Sequence, residues 1–303
     1  MASGRRRSGN RRSRTRARSR IGTLLLLLFV LLAIVLFVAT IQRQMHGYFT
    51  VPTGPKSPVP TPQITAAPPS GAPIPQESVP VAATGPRVAI IIDDCGYNLA
   101  RCEQFLDLPI PLTLSILPMT PHAKQLEADA LAAGKSVMLH LPMEAEAATE
   151  RPGPGAILTT MSDEQVRAQV ESDIDSVPNI PGANNHMGSK ATSDPRVMRD
   201  VLEVFRDHHL FFIDSMTSYT TVGATTAHDL GVPTARRDVF LDDSKDLVYI
   251  QGQFAQLQRV ALKNGTAIAI GHPFDTTAQA LRESIPKFQD AGITFVPAQT
   301  LVR

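Results

Sequence analysis

The sequence predicts an α/β fold built on a mostly parallel sheet, and three observations carry that prediction. From Arg87 onward about seven short apolar runs alternate with stretches of helical character, the pattern of repeated strand–helix units. The first run, Val88-Ala-Ile-Ile-Ile92, is five apolar residues, four of them β-branched, as in a strand buried on both faces. Four of the runs end in Asp93-Asp94, His140, Asp214 and His272. Parallel strands bring their carboxyl ends to one face, where α/β folds bind ligands. A closed barrel and an open doubly wound sheet both fit. No GxGxxG or GxxxxGK[ST] follows any run, which weighs against nucleotide-binding versions.

The first 86 residues have a different character. Residues 1–20 carry nine Arg and no acid, leaving the rest of the chain at −8 within a total of +1. Residues 21–41 are uncharged and rich in Leu, Val, Ile and Phe; as a helix they would be about 31 Å long, matching a bilayer core of roughly 30 Å. The positive-inside rule then places the Arg-rich tail in the cytoplasm and the remainder outside it. That reading makes the tail a topology signal and an anchor for anionic lipid rather than a nucleic-acid arm. Residues 42–86 follow as a linker, and 11 of the 25 prolines lie between 51 and 86. Such a segment favours extended polyproline conformation over a packed core.

The elements after Arg87 are expected in this order. Asn98 to Leu106 is helical, and Leu112–Ile116 is a short strand. Pro121 to Ala133 is a helix with Pro in its first turn and Gly134 at its end. Ser136–Leu141 is a strand running into His140-Leu-Pro-Met-Glu144. Ser162-Asp-Glu-Gln165 has the capping-box pattern and opens a helix to about Val177. The glycine-bounded stretch Gly182–Ser189 holds Asn184, Asn185 and His186 together. Asp194-Pro195 starts a helix to His209, and Leu210–Ser215 is an apolar strand. Thr226–Leu230 is a short helix, and Thr234–Leu241 a short strand carrying Arg236 and Arg237. Lys245–Lys263 is a helix stopped by Asn264-Gly265, Thr266–His272 a buried strand, Thr276–Asp290 the last helix and Ile293–Val296 the last strand.

Carboxylates and imidazoles gathered at strand ends form a ligand set for Zn²⁺ or a similar divalent ion with an open position. A metal so held polarises a carbonyl and acidifies water, which suits hydrolysis. An unligated carboxylate nearby can act as general base and a histidine opposite as general acid. A lone histidine is more often structural or solvated, and His122, His208, His209 and His228 are read that way. Cys95 and Cys102 are the only cysteines; they are read as two small hydrophobes, with a disulfide as the alternative in an oxidising compartment.

Residues 87–303, about 70% of the chain, resemble the polysaccharide deacetylase family in its divergent branch. The motifs are Ile92-Asp93-Asp94-Cys95-Gly96, His140-Leu-Pro-Met-Glu144, Asn184-Asn185-His186-Met187-Gly188-Ser189, Ile213-Asp214-Ser215 and Ile270-Gly271-His272-Pro273. The resemblance implies a distorted (β/α) barrel of about seven strands. It implies Asp93 as base, Asp94 as metal ligand and His272 as general acid. The ordinary branch takes its remaining ligands from His-x-x-x-His, whereas this chain has His140-x-x-x-Glu144. Either Glu144 or His186 therefore completes the set. Asp94, His140 and His186 are the favoured ligands, zinc is the foremost metal, and Glu144, Asn185, Asp214 and Arg237 are supporting or substrate contacts.

The expectation is a single-pass inner-membrane protein whose exported domain removes acyl groups from a polysaccharide or peptidoglycan-like glycan. Two other readings stand beside it. One is a metal-free glycosidase using two acids such as Asp94 and Asp214, which leaves three strand-end histidines idle. The other is a catalytically inactive glycan-binding or envelope-scaffold protein on the same fold.

Overall fold

A computed structural model describes residues 85–303. The expected tail, membrane helix and most of the linker lie outside the described residues. Among the described residues no helix is long and apolar enough to cross a membrane.

Nine strands and seven α-helices alternate along the described chain: β1 Arg87–Cys95, α1 Leu99–Glu103, β2 Thr113–Ile116, α2 Ala123–Ala132, β3 Ser136–Met143, α3 Asp163–Ser176, β4 Gly182–Met187, α4 Pro195–Asp207, β5 Phe211–Asp214, α5 Gly223–Asp229, β6 Thr234–Arg236, β7 Val239–Phe240, α6 Leu247–Asn264, β8 Thr266–Gly271, α7 Asp275–Asp290 and β9 Thr294–Phe295. The helices start and stop where local chemistry says they should. Ser162 and Gln165 form a reciprocal capping box at α3, and Asp194 caps α4 by accepting from Arg196 and Val197 N–H. Gly265 ends α6 in the left-handed region at φ +81°.

All paired strands are parallel, in the order β6-β5-β4-β3-β2-β1-β8-β7, with β9 beside the start of β1. The single strand expected over Thr234–Leu241 is in fact two. β6 pairs with β5 at one end of the sheet and β7 with β8 at the other. Only Arg237 and Asp238 separate them: Arg237 N–H donates to Asp214 O, and Asp238 N–H to Ile268 O. A two-residue step spans only about 7 Å, so the sheet must curl until its edges nearly meet. The result is a parallel, curled (β/α) half-barrel, which resolves the choice between barrel and open sheet. The strand count rises above seven because this segment divides and because Gly182–Met187 is itself a strand.

Side-chain alternation separates two apolar layers. Ala89, Ile91, Met138, Phe211, Ile213, Ile268 and Ile270 form one buried cluster on the concave side. Val88, Ile90, Ile92, Leu139, Phe212 and Ala269 face the opposite way, into a larger cluster with the helices. Strand residues two apart share a face, so the concave positions extend upward to Asp93, His140, Ser215 and His272. This parity decides which strand-end residues reach the site.

Candidate active site

At the carboxyl end of β1 the pairing register shifts between Ile92 and Cys95, and Asp94 adopts φ +55°. Strict alternation would send Asp93 and Asp94 to opposite faces. The irregularity turns both carboxylates to the same end of the sheet, and a left-handed non-glycine residue there is the kind of strain found at functional positions. Gly96 completes the turn at φ +123°; a Cβ on it would lie 2.2 Å from Thr120 Oγ1.

Asp94, His140 and His186 converge. Asp94 Oδ1 lies 3.3 Å from His140 Nε2 and 2.9 Å from His186 Nδ1, and the two ring nitrogens are 3.1 Å apart. Ligand atoms at about 2.0–2.2 Å from a tetrahedral zinc stand roughly 3.3–3.5 Å from one another, so this triangle is slightly contracted but has the right size. The surrounding hydrogen bonds favour a cation. The Asn184 amide NH₂ donates to Asp93 Oδ1 at 2.9 Å, which turns its carbonyl toward Ser115 Oγ at 2.6 Å and His140 Nδ1 at 2.8 Å. His140 therefore carries its proton on Nδ1 and presents a bare Nε2 to the triangle. Asp94 Oδ1 is buried with no hydrogen-bond partner of acceptable geometry. The bare His140 Nε2 and the orphaned carboxylate oxygen repel unless a positive charge lies between them. The residues present fit a divalent metal.

Glu144 does not join them. Its Oε1 is 2.7 Å from Lys190 Nζ, and its Oε2 accepts from Thr159 N–H at 2.6 Å and Thr159 Oγ1 at 2.7 Å. It clamps the loop after β3 to the segment after β4, and of the two residues in question only His186 reaches the triangle.

Asp93 is 4% exposed. Burial pushes its pKa up, against the positive fields of His140 and His272 and the Asn184 hydrogen bond. Burial pushes Asp94 up as well, but without a metal the His140 and His186 rings, when protonated, outweigh it and hold this carboxyl well below the usual range. Opposite them, His272 Nε2 lies 3.7 Å from Asp94 Oδ2, while its Nδ1 is 2.9 Å from Asp242 Oδ1. Burial works against charge on this ring, yet Asp242, Asp93 and Asp94 together raise its pKa to about 9. The site thus holds a buried carboxylate, an imidazolium across from it and a triangle of metal-binding atoms, all in an open cavity of about 480 Å³.

The other expected residues are placed as follows. Asn185 lines the cavity and ties two loops together, accepting from Ser215 N–H and donating to Met187 O and Thr217 Oγ1. Arg237 also lines it; its guanidinium donates to Ser215 O and Met216 O and stacks on Phe240, not onto Asp93. Arg236 is exposed on β6. Asp214 is buried away from the cavity, accepting from Met216 N–H and Thr221 Oγ1. It shares parity with Phe212 of the helix-side layer, and its neighbour Ser215 takes the concave position. Ser115 and Asp242, which the sequence reading did not name, stand behind the site, and Asn184, named there only within its motif, links Asp93 to His140. Counting strand parity back from Asp93 and His140 would have found Asn184, two residues before His186. Asp242, two residues beyond β7, had no such signal, because the pairing of β7 with β8 is not visible in the sequence.

A half-barrel with an Asp/His/His triangle flanked by Asp93 and His272 at its strand ends defines a deacetylase-like α/β protein. The chain belongs to the divergent polysaccharide deacetylase family, whose model matches residues 90–302. It is 35% identical over 216 residues to the uncharacterized protein YibQ of Escherichia coli K12, covering 71% of this chain and 67% of that one. An uncharacterized protein of Haemophilus influenzae is 36% identical over 199 residues, 66% of this chain and 71% of its own. Among solved structures, the uncharacterized protein ATU2773 of Agrobacterium tumefaciens superposes with a TM-score of 0.70 at 24% identity, over 73% of this chain and 91% of that one. That likeness shows the fold.

Proposed function

We propose that this protein is a metal-dependent hydrolase that removes acyl groups, acetyl foremost, from an envelope polysaccharide such as peptidoglycan. The observation that carries the reading is the orphaned Asp94 Oδ1 between the bare His140 Nε2 and His186 Nδ1. A divalent ion held by Asp94, His140 and His186, with zinc the foremost candidate, would polarise the acyl carbonyl and acidify water beside it. Asp93, its basicity raised by burial, takes the proton of the attacking water. Asn184 bridges Asp93 and His140, holding base and ligand in one register. His272, kept protonated by Asp242, delivers a proton to the leaving amine or alkoxide as the bond from the acyl carbon breaks. Arg237 and Asn185 shape the cavity wall against the glycan.

Family membership supports a glycan as substrate. A binding protein that lacks catalysis would have no use for the Asp242–His272 pair facing Asp93, so the complete acid–base set favours an enzyme. The glycosidase reading loses its second carboxylate, since Asp214 points into the helix layer. Residues 1–20, 21–41 and 42–86 support placement as a single-pass inner-membrane protein with the catalytic domain held outside the cytoplasm on a proline-rich spacer.

The test is metal analysis of the full chain in detergent beside Asp94→Ala and His140→Ala, followed by acetate release on chitooligosaccharide and peptidoglycan panels. Near-stoichiometric metal that both variants lose, with acetate released only by the loaded protein, is the expected result. Absence of metal after Zn²⁺ titration would sink the hydrolase reading.

A further inference from the structure

Cys95 and Cys102, the only cysteines of the chain, are 0% and 1% exposed and pack in the helix-side apolar layer. Cys95 closes β1 directly after Asp94. Asn98 then caps α1 by accepting from Arg101 N–H, and the short helix turns the chain back over the strand end. The turn brings the two sulfurs to 2.6 Å, about 0.6 Å beyond a covalent S–S bond of about 2.03–2.05 Å. Read as separate hydrophobes in the sequence, they are aimed at each other in the fold.

We infer that Cys95 and Cys102 form an intrachain disulfide that staples the turn after Asp94 to α1. The closed loop of eight residues contains Gly96, which takes the sharp turn at φ +123°, and its near end adjoins Asp94 at φ +55°. A cross-link there restricts the unfolded chain and holds the backbone that presents both carboxylates. The oxidant is a low-molecular-weight disulfide or a thiol–disulfide oxidoreductase. One thiolate attacks it to give a mixed disulfide and expels a thiolate; the second cysteine then displaces the remaining half. Two thiols become one S–S bond, two electrons pass to the oxidant, and its two sulfurs leave as thiols carrying the protons. Both sulfurs are buried in the folded protein, so exchange proceeds while α1 is undocked, either during folding or through local opening. The inference rests on neither the hydrolase reading nor the presence of metal.

The test equilibrates the full chain in detergent with graded ratios of reduced to oxidised glutathione, once folded and once unfolded in urea. Free thiols are then blocked with N-ethylmaleimide under denaturing conditions. Trypsin cuts after Arg101, between the cysteines, so the cross-linked protein yields peptides 88–101 and 102–124 joined through sulfur. We expect the folded chain to remain half-linked at a value of [GSH]²/[GSSG] roughly 10–100-fold higher than the unfolded chain does. Equal values for the two states would overturn the inference. So would doubly blocked cysteines at every ratio, or linkage between two chains.

Discussion

Asp242 grips His272 at two points: its Oδ1 is 2.9 Å from the ring Nδ1 and its Oδ2 accepts the His272 backbone N–H at 2.6 Å, with Thr277 Oγ1 donating to Oδ2 as well. The carboxylate sets the tautomer and the charge of the ring, leaving Nε2 for the cavity. Replacing Asp242 by Asn keeps most of this geometry and removes the charge. The ring should then titrate roughly one to two pH units below about 9, moving the high-pH limb of kcat down with it, because the proposed general acid must be protonated. Activity at pH 8 should fall roughly 2–10-fold and at pH 6 hardly at all. NMR titration of the ring reads the same shift without a substrate; an equal loss at both pH values and an unmoved ring would mean that Asp242 is only structural.

Asn184 holds Asp93 with its amide nitrogen and His140 with its carbonyl. Asn184→Ala frees the His140 ring and removes a hydrogen bond from the base. Groups that orient a ligand from behind typically cost 10–100-fold in metal affinity when removed. Competition against a chelator should show a loss of that size, and unchanged affinity would place the control of His140 elsewhere.

Glu144 and His186 separate cleanly. Glu144 is saturated by Lys190 and Thr159, so Glu144→Gln should retain metal within about twofold while loosening the loop after β3. His186→Ala should lose at least about 100-fold in affinity, because one of three ligands goes. The reverse ranking in isothermal titration would restore Glu144 as the third ligand.

Asp173 on α3 is buried, and among the described residues its Oδ2 is unpartnered and Gln169 is the only side chain donating to its other oxygen. Burial raises its pKa to about 8. The folded state therefore holds a proton that the unfolded chain releases near pH 4. Its stabilising contribution is full below about pH 4, is lost as pH rises toward 8, and is level above that. The slope in the window is about 1.4 kcal/mol per pH unit for this one group. Asp173→Asn should flatten the stability profile between pH 5 and 8 and raise stability most at the alkaline end. Denaturant unfolding at several pH values measures this, and an unchanged profile would mean that Asp173 is ionised in the fold.

The elements were largely legible because their signals are local. A β-branched run such as Val88–Ile92 favours a strand in any context that buries it, Ser162 and Gln165 cap a helix through bonds three residues apart, and Asn264-Gly265 stops one by backbone freedom alone. The strand ends that carry Asp93, Asp94, His140 and His272 followed from the same reasoning, since parallel strands align their termini.

What sequence pattern left open depended on contacts between distant residues. His186 and Glu144 are equally plausible ligands until Lys190 and Thr159 are seen to occupy Glu144. Asp214 ends an apolar strand as Asp93 does, but its parity turns it into the helix layer, while a register irregularity and a positive φ bring Asp94 back beside Asp93. Arg237 and Asp238 bridge β5 and β8 only because the sheet curls, and that same curl delivers Asp242 to His272. Alternation and capping act over a few residues of one chain segment. Closure of the sheet and completion of the site are set by contacts between separate segments, with Asp242 and His272 30 residues apart and Asp93 and Asn184 91 apart.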